Sequence, residues 1–187
     1  MTAFRELSQH ILDIFENSAT AGAGLVRLVI REDFEADRLS IVIEDDGHGM
    51  DAQMLARLSD PWVTTRTTRN VGLGIPFFKQ AAEMCGGSFE IQSQVNHGTV
   101  IRADFQHSHI DRPPLGDLIA TLGCMIVGYP DVAIAYSHTV DDREFSFDTR
   151  KIREVLGDAV PLSDPEVLAF LHGMLEEGEC DLRGKSS

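Results

Sequence analysis

The sequence is poor in cysteine, and its few cysteines are not grouped. Cys85, Cys124 and Cys180 are odd in number, far apart and without a Cys-x-x-Cys spacing. A disulfide framework needs an even set of cysteines, and a structural zinc site needs closely spaced ligand pairs. The sequence therefore predicts reduced thiols and argues against both of these ways of stabilising a small domain.

The chain also lacks long apolar runs and an excess of basic residues. No stretch approaches the roughly 20 apolar residues of a membrane helix, and the start, MTAFRELSQH, does not resemble a signal peptide. Lys and Arg number 16 against 30 Asp and Glu, and the resulting net charge of −14 repels nucleic-acid phosphates and anionic lipids. We therefore expect a cytoplasmic protein that binds neither nucleic acid nor membrane.

What is present is a globular composition with alternating helix and strand signals. Apolar periodicity predicts helices over 4–18, 51–58, 115–127, 149–156 and from 163, and one more between the glycines at 72–74 and those at 86–87. It predicts strands over 25–31, 39–44, 88–94, 99–105, 132–138 and 144–148. The segment HIDRPPLG at 109–116 marks a change of character. We predict a domain over residues 1–112 and a small α/β extension over 113–187, with net charges of −6 and −8.

The first cluster with chemical potential lies on the first predicted helix. Asp13 and Asn17 are four residues apart, so their side chains point the same way. An amide oxygen is a hard neutral ligand suited to Mg²⁺, and a carboxylate can position or deprotonate a water molecule. Taken alone, the pair also fits a solvated helix face. His10, one turn earlier, fits either a structural role or a proton relay.

The second cluster is the sequence DDGHGM at residues 45–50. Asp45 falls at the end of a predicted strand, where its carboxylate can accept a hydrogen bond from an exocyclic amine such as that of adenine. Glycines at 47 and 49 allow the backbone to approach a flat ring closely. A plain strand-to-helix turn is the alternative. A calcium loop is excluded because its ligand spacing is absent.

The third cluster is the sequence GLG at residues 72–74, directly before a predicted helix. Free backbone N–H groups at a helix N-terminus suit a phosphate, although the third glycine of the dinucleotide fingerprint is missing. Between positions 57 and 79 the chain has four basic residues and one acid: Arg57, Arg66, Arg69 and Lys79 against Asp60. This positive segment suits a polyphosphate, and an exposed arginine-rich loop would show the same pattern.

In this order, the three clusters resemble the motifs of the ATP-binding domain shared by gyrase B, heat-shock chaperones, histidine kinases and MutL proteins, the GHKL superfamily. Residues 12–19 (LDIFENSA) resemble its N box, 45–50 its first glycine box, 72–75 (GLGI) its second, and 98–99 its final Gly-Thr. The resemblance covers residues 5–106. It implies the α+β Bergerat fold, a two-layer sandwich with helices on one face of a mixed, mostly antiparallel sheet, and ATP with Mg²⁺ as cofactors.

The resemblance also implies a role for each matching residue. Asn17 would bind Mg²⁺, Asp45 would hold the adenine amine, and Thr99 would support Asp45 through water. Asp13 would be the catalytic residue, and residues 59–74 would form a lid over the ATP. The implied nucleotide-binding residues are Asn17, Asp45, Gly47, Gly49, Met50, Thr65, Arg66, Gly72, Leu73, Gly74 and Thr99.

Two features depart from the ATP-hydrolysing branches of this family. The residue four before the Mg²⁺-binding Asn is usually Glu, whereas Asp13 is one methylene shorter, and a displacement of about 1 Å can cost on the order of a hundredfold in rate. For the lysine that reaches the terminal phosphate, the tail offers only Lys151 and Lys185, without a supporting motif. Arg66 and Arg69 in the lid are better candidates, since a guanidinium can hold two oxygens at once.

These observations predict a Mg-ATP-binding protein that acts as a slow ATPase or phosphotransfer regulator. A non-catalytic module that senses ATP against ADP, and a protein serine/threonine kinase resembling the anti-sigma-factor kinases, stay open as alternatives. Residues 60–66 (DPWVTTR) and 109–116 further resemble stand-alone ATP-binding proteins of anaerobic bacteria that often accompany iron hydrogenase components. The expected partner is thus an unidentified protein, of redox or hydrogenase type. Residues 132–136 could extend the main sheet, form a separate sheet or pair across a homodimer.

Overall fold

The computed structural model describes residues 6–59, 74–157 and 160–184, apart from the side chains of Arg57 and Ser59. The helices and strands follow the predicted order, with ends that differ by a few residues. They are α1 (Leu7–Thr20), β1 (Leu25–Asp33), β2 (Arg38–Asp45), α2 (Ala52–Ser59), α3 (Gly74–Met84), β3 (Ser88–Gln94), β4 (Gly98–Gln106), α4 (Leu118–Gly128), β5 (Ala133–Val140), β6 (Arg143–Asp148), α5 (Thr149–Leu156) and α6 (Pro165–Leu182).

Two helices of the tail begin later than the periodicity predicts because aspartates cap them. The Asp117 carboxylate accepts a hydrogen bond from the backbone N–H of Ala120, so α4 begins at Leu118 rather than at 115. The Asp164 carboxylate accepts from the first turn of α6 in the same way. A cap satisfies N–H groups that have no partner inside the helix, and the capping residue itself lies outside the helix.

The strands form one sheet in the order β3-β4-β2-β1-β5-β6. The pairing of β1 with β5 is parallel, and the pairings of the other neighbours are antiparallel. Of the three arrangements left open for residues 132–136, the structure therefore has the one that extends the main sheet. The predicted α+β sandwich on a mixed, mostly antiparallel sheet is confirmed.

The core lies between one face of the sheet and the helices. Along β1, Val26, Leu28 and Ile30 are buried while the residues between them are exposed or half-buried. The same alternation runs through β2 and β5, because successive side chains of a strand point to opposite faces. The apolar face packs against α1, α3, α4 and α6, whose buried side chains belong to the same cluster.

The tail is joined to the first helix as well as to the sheet. The first backbone N–H groups of α1, at Leu7 and Ser8, donate to the carbonyls of Pro114 and Leu115, at 2.9 and 2.8 Å. Farther along α1, the ring of Phe15 meets that of Tyr129 edge-on. The domain boundary at 112 stays a prediction, and the segments on either side of it share one sheet and one core.

A cluster of charged residues ties α6 to the sheet. We call Glu32, Tyr136, His138 and Glu179 the buried ion cluster. His138 has no exposed surface, and its Nε2 lies 3.1 Å from Glu32 while its Nδ1 lies 2.9 Å from Glu179. The Tyr136 hydroxyl donates to the same Glu179 carboxylate at 2.5 Å. Because both ring nitrogens of His138 face carboxylates, the cluster favours the doubly protonated imidazolium.

In the part of the chain that the structure describes, no helix is both long enough and apolar enough to cross a bilayer.

Candidate functional site

A pocket of about 130 Å³ lies between α1 and the ends of β2 and β4. We call it the α1–β2 pocket. Among its lining residues are five that the sequence singled out from three separate motifs: Asn17, Asp45, Gly49, Met50 and Thr99. Its apolar walls include Ile14, Ile75 and Ile101. The fold thus gathers residues that are distant along the chain into one concave surface.

Asp45 is held in a fixed orientation at the end of β2. The Ser18 hydroxyl donates to Oδ2 at 2.7 Å, and the backbone N–H of Gly47 donates to Oδ1 at 2.9 Å. An ionised carboxylate offers about four acceptor positions, so these two bonds leave capacity for a further donor. Asp45 can therefore accept a hydrogen bond from a ligand in the pocket without rearranging.

Two glycines bring the turn after β2 against the β3–β4 hairpin. Gly49 has a φ of +64°, and a Cβ there would lie 2.0 Å from the carbonyl oxygen of Gln94. Gly98 has a φ of +82°, and a Cβ there would lie 1.9 Å from the carbonyl oxygen of Asp45. Only glycine allows both the left-handed conformation and this close approach. The contact places Met50 and Thr99 on the same pocket.

Ser93 connects the turn after β2 to the β3–β4 hairpin. The sequence motifs did not indicate this residue. Its hydroxyl donates to the Gly98 carbonyl at 2.9 Å and accepts from the backbone N–H of Met50 at 2.8 Å. The Thr99 hydroxyl lies 2.9 Å from the same oxygen. Since the proton of Ser93 goes to Gly98, Thr99 is the donor in that contact. The signal in the sequence was the hairpin itself, which places Ser93 directly across from Thr99.

Asp13 lies one turn before Asn17 on α1 and faces the first residue of α3. A Cβ on Gly74 would lie 1.6 Å from the Asp13 carboxylate, so glycine is needed for this contact. Burial raises the pKa of Asp13, and a hydrogen bond from the backbone N–H of Gly74 partly opposes that rise. Asp13 and Gly74 therefore form a contact of their own beside the α1–β2 pocket, and neither lines it.

His10 completes the contact between α1 and α3. Its ring is 2% exposed and stacks on Phe78 with centroids 5.3 Å apart. Burial lowers its pKa to about 4, although a hydrogen bond to the Gly74 backbone opposes the shift. The ring is therefore neutral near pH 7 and does not readily accept a proton there. This geometry favours the structural role over the proton relay.

Two polar atoms at this site are buried without a hydrogen-bond partner among the described residues: Oδ2 of Asp13 and Nδ2 of Asn17. Buried polar atoms are nearly always paired in folded proteins, and exceptions call for an unseen water, ion or ligand. The two atoms belong to the residues that the sequence selected for phosphate and metal chemistry. Asp13 and Asn17 therefore each keep a polar atom on α1 that is free to bond to a ligand or water.

Part of the predicted site lies outside the described residues: Thr65, Arg66, Gly72, Leu73 and the remainder of the segment between residues 59 and 74. Of the other predicted residues, Gly47 contacts Asp45, and Gly74 contacts Asp13. The roles given to all of these residues stay predictions.

Comparison with known proteins identifies the family. Residues 2–109, more than half of the chain, match the model of the histidine kinase-, DNA gyrase B- and HSP90-like ATPases. The chain belongs to this family. Membership implies ATP binding, and the predicted GHKL resemblance is confirmed.

Curated relatives are mostly sensor kinases. The chain is 28% identical over 126 residues to the non-motile and phage-resistance protein of Caulobacter vibrioides, covering 63% of this chain and 15% of that protein. It is 30% identical over 107 residues to the tetrathionate sensor histidine kinase TtrS of Salmonella typhimurium, covering 55% and 18% respectively. The chain thus spans less than a fifth of the length of these relatives.

Solved structures share the fold at low sequence identity. The ADP-bound MutL ATPase domain of Aquifex aeolicus superposes with a TM-score of 0.52 at 11% identity, covering 98% of this chain and 99% of that one. The N-terminal domain of a DNA repair protein gives a TM-score of 0.56, also at 11% identity, over 83% of this chain and 58% of that one. The first match extends over both parts of the chain.

Proposed function

We propose that this chain is a Mg-ATP-binding regulator with slow turnover, and that the α1–β2 pocket holds the adenine. The observation that carries the proposal is the Asp45 carboxylate, fixed by Ser18 and Gly47 and facing a concave surface with apolar walls. A flat base with one exocyclic amine matches this combination, because the ring can pack on apolar side chains while the amine donates to the carboxylate. The ADP bound to the MutL domain of the same fold supports this choice of ligand.

The proposed magnesium site uses few protein ligands. No group of three or more His, Cys, Asp and Glu residues that could hold a metal occurs in the described part of the chain. Mg²⁺ in phosphate-transferring sites is commonly held by one or two protein oxygens together with phosphate and water oxygens. Asn17 would supply one amide oxygen here. Its buried Nδ2 has no partner in the described residues, which fits a side chain whose surroundings are completed by a ligand.

Asp13 is the proposed group that orients or deprotonates a water molecule. Its raised pKa makes it a stronger base than an exposed aspartate, and its Oδ2 has no hydrogen-bond partner among the described residues. Its contact with Gly74 couples it to the start of α3. For rapid turnover, the Asp13 carboxylate would have to leave its contact with Gly74 and approach the nucleotide. We propose a slow reaction for this reason.

The same contact favours a second function, a module that responds to ATP without hydrolysing it. Asp13 does not line the α1–β2 pocket, and Gly74 is the last residue of the segment proposed as the lid. In this second function, bound nucleotide changes the surface that the protein presents to a protein partner. We place the protein and its partner in the cytoplasm. The acidic segment 113–187 is the proposed docking region for that partner.

A binding titration tests the pocket. We expect ATP to bind the full chain in the presence of Mg²⁺ and Asp45→Asn to weaken binding by roughly tenfold to a hundredfold, because a hydrogen bond to a charged group contributes about 1.5–3 kcal/mol. Asp46→Asn is the matched control, since Asp46 binds the backbone N–H groups of Gly24 and Leu25 and does not line the pocket. Equal affinity in the two variants would contradict the proposed site.

A turnover experiment separates the two functions. The chain is incubated with γ-labelled ATP and Mg²⁺, and free phosphate and protein-bound label are followed together. Phosphate release that falls sharply in Asp13→Asn but not in Glu16→Gln, an exposed position on the same helix, supports an ATPase that uses Asp13. Bound ATP without release in any of the three proteins supports the non-catalytic module. Label on the protein supports phosphotransfer.

A further inference from the structure

A second cavity lies at the other end of β1 from the α1–β2 pocket. It has a volume of about 550 Å³ and is lined by Glu32 and three arginines, Arg112, Arg143 and Arg183, with apolar residues between them. We call it the arginine cleft. It shares no lining residue with the α1–β2 pocket, so it is a separate site.

The arginines come from three parts of the fold, and two of them are oriented by backbone carbonyls. Arg112, in the loop after β4, donates to the carbonyls of His107 at 2.7 Å and Pro113 at 3.2 Å. Arg143, at the start of β6, donates to the Asp181 carbonyl at 3.2 Å. Arg183 follows the last turn of α6. Carbonyl acceptors orient a guanidinium but do not neutralise its charge.

Within the described residues, no carboxylate oxygen lies within 4.0 Å of the three guanidinium groups in an ion pair. The ion pairs of the structure involve other groups, and none includes Arg112, Arg143 or Arg183. This is unusual for a chain with 30 acidic residues and a net charge of −14. Like charges gathered at one cavity repel each other, and an anion that enters the cavity removes that repulsion.

The one carboxylate that lines the arginine cleft is already engaged. Glu32 accepts from His107 Nε2 at 2.7 Å and from His138 Nε2 at 3.1 Å. The His138 imidazolium is shared between Glu32 and Glu179, so it offsets only part of the charge of Glu32. Even with the full charge of Glu32 counted, one carboxylate against three arginines leaves the lining of the cleft with a net positive charge.

We propose that the arginine cleft binds a small dianion, a dicarboxylate or a phosphate ester with a short apolar body. The volume lies within the roughly 300–1,000 Å³ of small-molecule sites. Guanidinium groups hold carboxylates and phosphates through paired N–H donors. Phe34, a lining residue that is 57% exposed, offers an apolar surface to the body of the ligand.

Calorimetric titration of the full chain with succinate and with glycerol phosphate tests this proposal. We expect at least one of the two probes to bind at millimolar concentrations or below, and the preferred probe shows whether carboxylate or phosphate is recognised. Arg183→Gln should weaken that binding about tenfold or more, as the loss of one charge-assisted contact predicts. Arg150→Gln, which removes an exposed arginine paired with Asp148, should leave it unchanged.

Two outcomes would overturn the proposal. One is the absence of binding for both probes in a chain that unfolds cooperatively on heating. The other is equal probe affinity in Arg183→Gln and Arg150→Gln. Because Arg183 is exposed, its substitution should leave the fold intact, and thermal unfolding verifies this. Asp45→Asn shows whether a probe binds in the α1–β2 pocket instead. If the probe no longer binds Asp45→Asn but still binds Arg183→Gln, the proposed binding in the arginine cleft is also contradicted.

Discussion

A group of polar residues lies at each end of β1, and the two groups differ in whether their buried polar atoms have hydrogen-bond partners. At one end Val26 pairs with Asp45 beside the α1–β2 pocket, and at the other Glu32 belongs to the buried ion cluster. The two are about 20 Å apart at the usual rise of a strand. Beside the pocket, Asp13 and Asn17 keep buried polar atoms without partners among the described residues. In the ion cluster, His138 pairs with the carboxylates of Glu32 and Glu179, and Tyr136 donates to Glu179.

This difference distinguishes a ligand site from a structural contact. A buried polar atom without a partner costs free energy, so the arrangement persists where a ligand or ordered water completes it. A set of charges that satisfies itself needs nothing further and fixes the elements that carry it. The cluster joins β1, β5 and α6, whereas the open atoms lie on α1 alone. Substitutions should therefore affect stability at one end of β1 and nucleotide binding at the other.

The largest effect on stability should come from His138. We expect His138→Gln to lower the free energy of unfolding by about 3–5 kcal/mol, because it leaves the buried Glu179 without its cation and removes one of the two histidines that contact Glu32. Chemical denaturation of the variant measures this. The control is His172→Gln on the exposed face of α6, where the His172–Glu176 pair is open to solvent and should contribute less than about 1 kcal/mol. Similar losses in the two variants would mean that the cluster is not structural.

The pH dependence of unfolding should show the same cluster. Burial alone would lower the pKa of His138, but its hydrogen bonds to Glu179 and Glu32 outweigh burial and raise the pKa from 6.5 to about 9. The folded state thus holds this proton more tightly than the unfolded chain does. Its contribution, on the order of 3 kcal/mol, is complete below pH 6.5 and is lost as the pH rises through 9.

The acid side of the profile depends on Glu32. Burial raises its pKa, but the bonds from His138 and His107 outweigh burial and lower it from 4.5 to about 2. This contribution is complete above pH 4.5 and is lost as the pH falls towards 2. Chemical denaturation between pH 2 and pH 9, repeated with His138→Gln, measures the loss of stability at both ends of this range. If the variant still loses stability as the pH rises towards 9, groups other than His138 cause that loss.

A smaller effect is expected when the tyrosine hydroxyl is removed. Tyr136→Phe keeps the buried ring but deletes the donor to Glu179, so the free energy of unfolding should fall by about 1.5–3 kcal/mol. Tyr129→Phe, at a half-buried tyrosine without such a bond among the described residues, is the comparison. A loss no greater than that of Tyr129→Phe would show that Glu179 is satisfied by His138 alone.

The smallest effect on stability, and one of opposite sign, is expected at Asn17. Asn17→Ala removes a buried nitrogen without a partner and places a better helix former in α1, so the nucleotide-free chain should gain about 0.5 kcal/mol. Under the proposed function the same variant should lose Mg²⁺-dependent ATP binding. Denaturation without nucleotide and a titration with Mg-ATP measure the two effects. A marked loss of stability would mean that Asn17 is a structural residue, like those of the ion cluster.

The sequence by itself determined the order and type of the elements and the family. Hydrophobic periodicity and turn glycines are local signals, so helices and strands were predicted to within a few residues of their ends. The motifs around Asn17, Asp45 and Thr99 were also readable, because each occupies a short stretch whose residue types match its chemistry. Their convergence on one pocket was implied by the family and not by spacing.

Only the tertiary structure decided which distant residues meet. The place of β5 beside β1, more than 100 residues away along the chain, depends on non-local pairing that periodicity does not encode. The partners of Asp45 and Thr99 at Ser18 and Ser93 follow from the packing of α1 and a hairpin against the turn after β2. The ion cluster and the arginine cleft each combine side chains from separate elements. Such sites arise because folding brings together charges that carry no common pattern in the sequence.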